Sequence, residues 1–289
     1  MPIRLALRRM RQTTRIVVEH MKHRAKKPDD AYYLDGSRFE RHNSRMGMIS
    51  IVLQASVFFR MHLQSARIAI LCSVLWMGMG QAAAQERVQL SDGTHLNVFI
   101  VQPADTTDQP SPLLILMGGG PGNASISRDT SMWLGSGFAQ RGWWVAVPVS
   151  PNNRAFRGIE NNQKIDMLTE ALQQRPDVAA GKTLLAGISN GGISALEIAR
   201  RNPDNYLGVA AVPAISSSPF DNKPLAGFPV YLRIGGEDQL GWADRFDETV
   251  AAFTDAGVDL DAAILDSAPH MFRMNWESLD AWLQKVTTQ

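Results

Sequence analysis

The sequence predicts an α/β domain in which a mostly parallel central sheet is covered by helices on both faces. Short aliphatic runs without polar alternation, such as SPLLILM and WWVAVPV, are typical of strands that are buried on both faces. From residue 85 onward these runs alternate with amphipathic segments. Buried strands that alternate with helices indicate a parallel sheet between two layers of helices.

Each element of this domain has its own signal in the chain. Two alternating segments flank Asp92-Gly93, which predicts a hairpin at an antiparallel edge of the sheet. A helix is predicted over residues 162–175 because Ile165, Leu168 and Leu172 fall on one face. The remaining predicted elements are a strand over LLILM, a helix over 127–141, strands over 143–149 and 182–187, a helix over 191–201, strands over 207–212 and 229–236, a helix over 242–256, a strand over 260–265 and a helix over 276–286.

The N-terminal part of the chain differs from this domain in charge and in pattern. Residues 1–84 carry 14 Lys and Arg against 5 Asp and Glu, a net charge of +9, whereas residues 85–289 carry 15 against 23, a net charge of −8. Because the domain is acidic, we expect no nucleic-acid partner. The only cysteine, Cys72, precedes the domain, so residues 85–289 can form neither a disulfide nor a thiolate metal site.

A targeting signal accounts for part of this N-terminal region. From Met61 the chain has a short region with Arg67, an apolar run and then three alanines that end at Ala84, the layout of a secretory signal peptide. We predict a basic extension over 1–60 that is disordered or not translated, a signal peptide over 61–84, and one domain over 85–289. The protein is then periplasmic or secreted, and it contacts a membrane only if the signal stays uncleaved as an anchor.

The segment GISNG, residues 187–191, lies between a predicted strand and a predicted helix. It matches G-x-S-x-G, the pattern of a sharp strand-to-helix turn that exposes a serine hydroxyl above the sheet. Glycine at the first and last positions avoids a Cβ where neighbouring backbone approaches closely. Ser189 is therefore the candidate nucleophile. The alternative is a glycine-rich turn without a catalytic role.

Histidine is scarce in the predicted domain, which holds only His95 and His270. A serine hydroxyl needs a base within hydrogen-bond reach to act as a nucleophile. His95 precedes Ser189 and lies in the leading hairpin, at the far edge of the predicted sheet. His270 follows the last predicted strand, at a carboxyl end, where active sites of such sheets lie. His270 is therefore the candidate base.

A carboxylate that orients this histidine is expected after the penultimate strand. Glu237 and Asp238 follow VYLRIGG at that place. Asp238 is the first choice because it leaves the turn later and can reach the imidazole. Glu237 stays open as an alternative, as does Asp266, which lies four residues before His270.

Acyl transfer also needs hydrogen-bond donors for the oxyanion of the tetrahedral intermediate. The backbone N–H of Asn190 is one candidate, and the loop LMGGGPGN, residues 116–123, supplies the second from Gly119, with Gly120 as the next choice. This loop lacks the Lys-Ser/Thr of a Walker loop and the spacing of G-x-G-x-x-G, because position 123 is Asn. The loop is therefore not a phosphate-binding loop by pattern. Acyl transfer by a serine needs no cofactor, so we expect neither an organic cofactor nor a metal ion.

These features together resemble the α/β-hydrolase superfamily from about residue 86 to the end. GISNGGISALEIARR is similar to the nucleophile turn and helix of secreted esterases of the polyhydroxybutyrate depolymerase and feruloyl esterase type. GGGPG is similar to the HGGPG loop of proline iminopeptidases and prolyl oligopeptidases, although Met117 stands where those families carry histidine. The resemblance implies an α/β-hydrolase fold without a large cap and a triad of Ser189, Asp238 and His270.

The activity that this resemblance implies is cleavage of carboxylic esters through an acyl-enzyme. The connection after the strand over 207–212 is too short for a helical lid, which favours an open cleft and a soluble or polymeric ester. Trp242, Phe156, Trp133 and Met271 are candidates to line the acyl or leaving-group pocket. The alternatives are a serine exopeptidase or aminoacyl hydrolase, and a catalytically inactive binding protein on the same fold.

Overall fold

Eight strands form one sheet in the computed structural model, which describes residues 84–104, 109–216 and 221–288. The predicted extension, and the predicted signal peptide up to residue 83, lie outside the described residues. The strands are β1 (Ala84–Gln89), β2 (His95–Val101), β3 (Leu113–Met117), β4 (Trp144–Pro148), β5 (Thr183–Gly187), β6 (Tyr206–Ala211), β7 (Pro229–Gly235) and β8 (Asp259–Leu265).

The strand order across the sheet is β1-β2-β4-β3-β5-β6-β7-β8. β1 and β2 form the predicted antiparallel hairpin, and β2 pairs antiparallel with β4. The hairpin turn is closed by the Leu90 N–H, which donates to Thr94 O at 2.8 Å, and Asp92 Oδ1 accepts from the Thr94 N–H. All pairs from β4 to β8 are parallel, so the carboxyl ends of β3 to β8 lie at one end of the sheet.

Helices cover both faces of this sheet. They are α1 (Ala124–Thr130), α2 (Ser136–Ala139), α3 (Ile159–Gln173), α4 (Asn190–Arg201), α5 (Phe246–Asp255) and α6 (Trp276–Thr287), with a π-helical segment (Ser131–Gly135) between α1 and α2. Buried side chains of α3, α4 and α5 belong to one hydrophobic core, and those of α2 and α6 to a second core. The sheet separates these cores because alternate side chains of its strands enter each of them.

The predicted α/β class is confirmed, and the elements differ from the prediction mainly at helix starts. The first helix begins at Ala124 instead of residue 127, because the Asn123 side chain accepts a hydrogen bond from the Ile126 N–H and caps it. Helix α5 begins at Phe246 instead of residue 242, because a 3-10 turn (Ala243–Arg245) precedes it. Within the described part of the chain, no helix is both long and apolar enough to cross a bilayer.

Candidate active site

Ser189 lies between β5 and α4. Its backbone has φ of 54° and ψ of −119°, a conformation that residues with a side chain rarely adopt. The close packing of the turn enforces this geometry. A Cβ on Gly187 would lie 2.2 Å from the carbonyl oxygen of Gly191, and a Cβ on Gly191 would lie 2.3 Å from that of Met117. Only glycine fits at both positions, and the turn directs the Ser189 hydroxyl out beyond the carboxyl end of β5.

His270 connects Ser189 to a buried carboxylate. Its Nε2 atom lies 2.9 Å from Ser189 Oγ, and its Nδ1 atom lies 2.7 Å from Asp238 Oδ2. Both side chains are buried, and that of Asp238 has no solvent-accessible surface. The three residues come from the loops after β5, β7 and β8, so the parallel sheet brings together groups that are far apart in the sequence.

Of the three candidate carboxylates, Asp238, in the loop after β7, is the one that contacts the histidine. The second oxygen of Asp238, Oδ1, accepts a hydrogen bond from the Leu240 N–H at 2.7 Å. Glu237 and Asp266 are both exposed to solvent. The Glu237 N–H donates to the carbonyl of Ala268, which joins the loops after β7 and β8.

Two further contacts fix His270 in its loop. Its backbone N–H donates to Gln239 Oε1 at 3.1 Å. The Trp242 ring packs against the imidazole with 4.9 Å between ring centroids and 89° between the ring planes. The second histidine of the domain, His95, pairs with Gln89 in the outer hairpin and is exposed.

The glycine loop after β3 lies directly beside the nucleophile. A Cβ on Gly119 would lie 3.2 Å from Ile188 O and 3.4 Å from Ser189 Cβ. Within the described part of the chain, neither the Gly119 N–H nor the Asn190 N–H donates a hydrogen bond to another protein group. Both amides therefore stay candidates to bind a ligand atom at Ser189.

The side chain of Asn190 contributes to the site as well as its backbone, which the sequence does not indicate. Its Nδ2 atom donates to the carbonyl of Gly120 at 3.0 Å, which links the nucleophile turn to the glycine loop. Met117 is completely buried at the end of β3, and its carbonyl accepts from the Ile188 N–H. No local pattern predicts the Asn190 contact, because its partners lie 70 residues apart.

The four candidate pocket residues have different environments. Trp242 contacts His270, as described above. Phe156 is buried in the hydrophobic core, so its ring serves packing. Trp133 and Met271 are 46% and 50% exposed. Among the described residues, no group of three or more His, Cys, Asp or Glu side chains is arranged to hold a metal ion.

Comparison with known proteins relates this site to a large group of hydrolases. The model of the dienelactone hydrolase family matches residues 153–282, a segment that contains Ser189, Asp238 and His270. The fold matches the Porphyromonas gingivalis dipeptidyl peptidase 4 with a TM-score of 0.55 and 16% identity, over 71% of this chain and 35% of that chain. The chain has the α/β-hydrolase fold.

Other solved structures match this fold to a similar degree. A dienelactone hydrolase-like promiscuous phosphotriesterase from metagenomic libraries has a TM-score of 0.54 and 16% identity, over 72% of this chain and 97% of that chain. A thermostable esterase has a TM-score of 0.53 and 11% identity, over 65% of this chain and 56% of that chain. A search of curated proteins found none with significant similarity. The chain therefore has a hydrolase fold that is shared by esterases and peptidases.

Proposed function

We propose that this α/β-hydrolase cleaves carboxylic esters with Ser189 as the nucleophile, through an acyl-enzyme intermediate. The observation that carries the proposal is the unbroken line of hydrogen-bonding atoms from Ser189 Oγ through the His270 ring to Asp238. A serine, a histidine and a buried carboxylate in this order are the components of nucleophilic acyl transfer. The position of the group at the carboxyl end of the parallel strands supports it further.

The first half of the proposed reaction forms the acyl-enzyme. Ser189 Oγ attacks the ester carbonyl carbon while His270 Nε2 takes the hydroxyl proton. The carbonyl oxygen becomes an oxyanion, which accepts hydrogen bonds from the Asn190 and Gly119 amides. Collapse of the tetrahedral intermediate breaks the bond to the leaving oxygen, and His270 gives its proton to the departing alcohol.

The second half releases the acid and restores the enzyme. Water attacks the acyl carbon while His270 Nε2 takes one of its protons. The second tetrahedral intermediate then expels Ser189 Oγ, which receives this proton from His270. Asp238 accepts a hydrogen bond from the Nδ1 proton throughout, which keeps Nε2 directed at the serine and stabilises the imidazolium. The Leu240 N–H holds the other carboxylate oxygen, so the carboxylate keeps its orientation.

We further propose that the substrate is a soluble or polymeric ester and that the protein is periplasmic or secreted. The connection between β6 and β7, residues 212–228, contains one short 3-10 helix (Lys223–Leu225) among its described residues, which supports a cleft without a helical lid. The signal-peptide layout over 61–84 supports export. N-terminal sequencing of the native protein tests export, with Gln85 as the expected first residue.

A panel of p-nitrophenyl esters of increasing acyl length, measured beside aminoacyl p-nitroanilides, tests the reaction. We expect ester turnover that Ser189→Ala abolishes, while the control Ser136→Ala, on helix α2, retains wild-type turnover. Turnover of the anilides alone would favour the exopeptidase, since one structural neighbour is a dipeptidyl peptidase. Absence of turnover together with absence of fluorophosphonate labelling at Ser189 would favour a binding protein.

Separate substitution of the two neighbouring carboxylates tests the assignment of the acid. Asp238→Asn removes the acceptor for the Nδ1 proton and is expected to lower kcat by about 10⁴-fold. Glu237→Gln changes an exposed side chain and should lower kcat by less than about twofold. A larger loss in Glu237→Gln than in Asp238→Asn would show that the acid is Glu237.

A further inference from the structure

Successive carbonyl groups of the glycine loop accept hydrogen bonds from other segments of the chain. The side chain of Asn190, the first residue of α4, donates to the carbonyl of Gly120 at 3.0 Å. The backbone N–H of Ala155 donates to the next carbonyl, that of Pro121, at 3.1 Å. These carbonyls follow the Gly119 amide in the chain. Because each residue has only two soft backbone dihedrals, holding the segment directly after Gly119 limits the rotations that can reorient that amide.

The third carbonyl in this series, that of Gly122, is held in the same way. It accepts a hydrogen bond from the Ser150 N–H at 2.8 Å. The two loops also pack tightly here, because a Cβ on Gly122 would lie 3.0 Å from the Cα atom of Ala155. The loop after β4, residues 150–158, therefore forms a backbone support for the glycine loop.

This supporting loop has a strained backbone. Asn153, Ala155 and Phe156 all have positive φ, at 57°, 47° and 67°. Such conformations cost on the order of 1–3 kcal/mol for each residue that carries a side chain, and they persist only where surrounding contacts enforce them. The loop therefore depends on its anchors to keep the shape that supports the glycine loop.

Helix α4 supplies those anchors. Ser194 Oγ donates to the carbonyl of Ala155 at 2.6 Å. Glu197 binds the last two residues of the loop, Arg157 and Gly158. Its Oε1 atom accepts from Arg157 Nε at 2.8 Å, and its Oε2 atom accepts from the Gly158 N–H at 3.3 Å. Ser194 and Glu197 are both buried.

Asn190, Ser194 and Glu197 are spaced i, i+4 and i+7 along α4, so they lie on one face of the helix that begins at the nucleophile. We infer that this polar stripe of α4, defined by these three residues, positions the Gly119 amide for the oxyanion of the reaction proposed above. Asn190 acts directly on the glycine loop, and Ser194 and Glu197 act through the loop over 150–158. The inference rests on the proposed function.

The side chain that directly precedes the glycine loop gives its carbonyl groups no hydrogen bond. Met117, the last residue of β3, is completely buried in a hydrophobic core. A thioether is only a weak hydrogen-bond acceptor and has no proton to donate. The side chain that precedes the loop therefore cannot fix its carbonyl groups. The Gly120 and Pro121 carbonyls accept from α4 and from the loop that α4 anchors, and the Gly122 carbonyl also accepts from Ser127 Oγ on α1 at 3.3 Å.

Steady-state kinetics with a p-nitrophenyl ester test the stripe in the full-length protein. Asn190→Ala removes the direct bond and should lower kcat by roughly tenfold to a hundredfold with KM changed by about twofold or less, because the donor serves the transition state. Asn190→Asp places a carboxylate against the Gly120 carbonyl and should lose more. Ser194→Ala and Glu197→Gln act through an intermediate loop and should lose less than Asn190→Ala.

Amide hydrogen exchange gives a readout that does not depend on activity. In Asn190→Ala and Ser194→Ala, exchange should accelerate in peptides that cover residues 117–124, and in Ser194→Ala also in those that cover 150–158. The matched control is Thr169→Val on α3, which removes a buried hydroxyl that donates to a backbone carbonyl, that of Ile165, at 2.9 Å. We expect wild-type kcat and unchanged exchange in those two segments for the control.

The outcomes separate this inference from the proposed function. An active wild type whose kcat and loop exchange are unchanged by Asn190→Ala contradicts the positioning role and leaves the esterase proposal standing. A wild type that neither turns over esters nor reacts with a fluorophosphonate contradicts the proposed function, and the positioning role with it. An equal effect of Thr169→Val on kcat and on exchange also contradicts the inference, because the losses would then reflect general destabilisation.

Discussion

At the carboxyl end of the sheet, several residues with positive φ carry side chains. In the turns at the amino end, the residues with positive φ are glycines. All the non-glycine residues with positive φ in the described part of the chain follow the carboxyl ends of β4, β5 and β8, namely Asn153, Ala155, Phe156, Ser189 and Ser267. Glycine takes this conformation in the turns that lead into β4, β5, β7 and β8, at Gly142, Gly181, Gly227 and Gly257.

The difference matches the roles of the two ends of the sheet: the turns at the amino end contribute to stability, and the carboxyl end holds the candidate active site. Glycine adopts positive φ without steric cost, so the turns at the amino end close helices onto strands with little strain. At the carboxyl end a side chain is required where the backbone conformation is unfavourable, as at Ser189, and the surrounding contacts must supply the energy that holds it. The two ends of the sheet should therefore respond differently to the same substitutions.

The largest expected effect comes from adding a methyl group to a glycine at each end. In Gly187→Ala the new Cβ would meet the Gly191 carbonyl oxygen at 2.2 Å and the Gly192 nitrogen at 2.5 Å, backbone atoms that cannot move without unwinding the start of α4. We expect a loss of about 3 kcal/mol or more in the free energy of unfolding. Chemical denaturation monitored by circular dichroism measures this loss.

Gly142→Ala at the amino end is the matched control. Gly142 has φ of 83°, and no atom beyond its own chain neighbours lies within 4 Å of the place that a Cβ would take, so only the backbone conformation opposes alanine. The expected loss is about 1 kcal/mol. If the two alanine variants unfolded at the same denaturant concentration, tight packing at the carboxyl end would not explain why position 187 is glycine.

Much of this architecture follows from short-range patterns in the sequence. The run Leu113–Met117 is completely buried, as its unbroken aliphatic composition predicts, and the Asp92-Gly93 turn closes the hairpin that it predicts. Helix α1 starts three residues before its predicted start, because the capping role of Asn123 is a local interaction that hydrophobic periodicity does not reveal.

The candidate site is only partly predictable from the sequence, for a physical reason. Ser189 has a local motif, and His270 can be selected because the domain has only two histidines. The supports of the glycine loop have no such signal, because the Ser194 to Ala155 bond joins residues 39 positions apart whose proximity depends on the folded sheet. The carbonyls that they hold belong to the backbone, which is chemically the same at every position.

A smaller effect is expected when the strained serine itself is replaced. Ser189→Gly and Ser189→Ala both remove the hydroxyl, so both should abolish ester turnover. Glycine adopts φ of 54° without the Cβ penalty, and the glycine variant should therefore be more stable than the alanine variant by about 1 kcal/mol. Thermal and chemical unfolding of the two inactive variants provide the comparison. Equal stability would show that the turn stores no strain at Ser189.

The smallest expected effect lies at the amino end and depends on pH. Burial alone would raise the pKa of Asp177, but its hydrogen bonds and its attraction to Arg175, together with a hydrogen bond from Trp144, hold the pKa below its usual value. A carboxyl group whose pKa is lowered by folding stabilises the folded state above its unfolded pKa, and this contribution disappears as the pH falls through the folded value.

Asp177→Asn should therefore destabilise the protein by about 0.5 kcal/mol near pH 7, a small value because Asp177 and Arg175 are partly exposed. The stability difference between variant and wild type should begin to shrink as the pH falls below the unfolded pKa of about 3.9, and it should disappear only below the lower pKa of the folded state. Denaturation midpoints measured from pH 7 to pH 3 follow this convergence. A difference that stayed constant or grew toward low pH would show that Asp177 acts through packing and neutral hydrogen bonds, and that the amino end, like the carboxyl end, depends on geometry more than on charge.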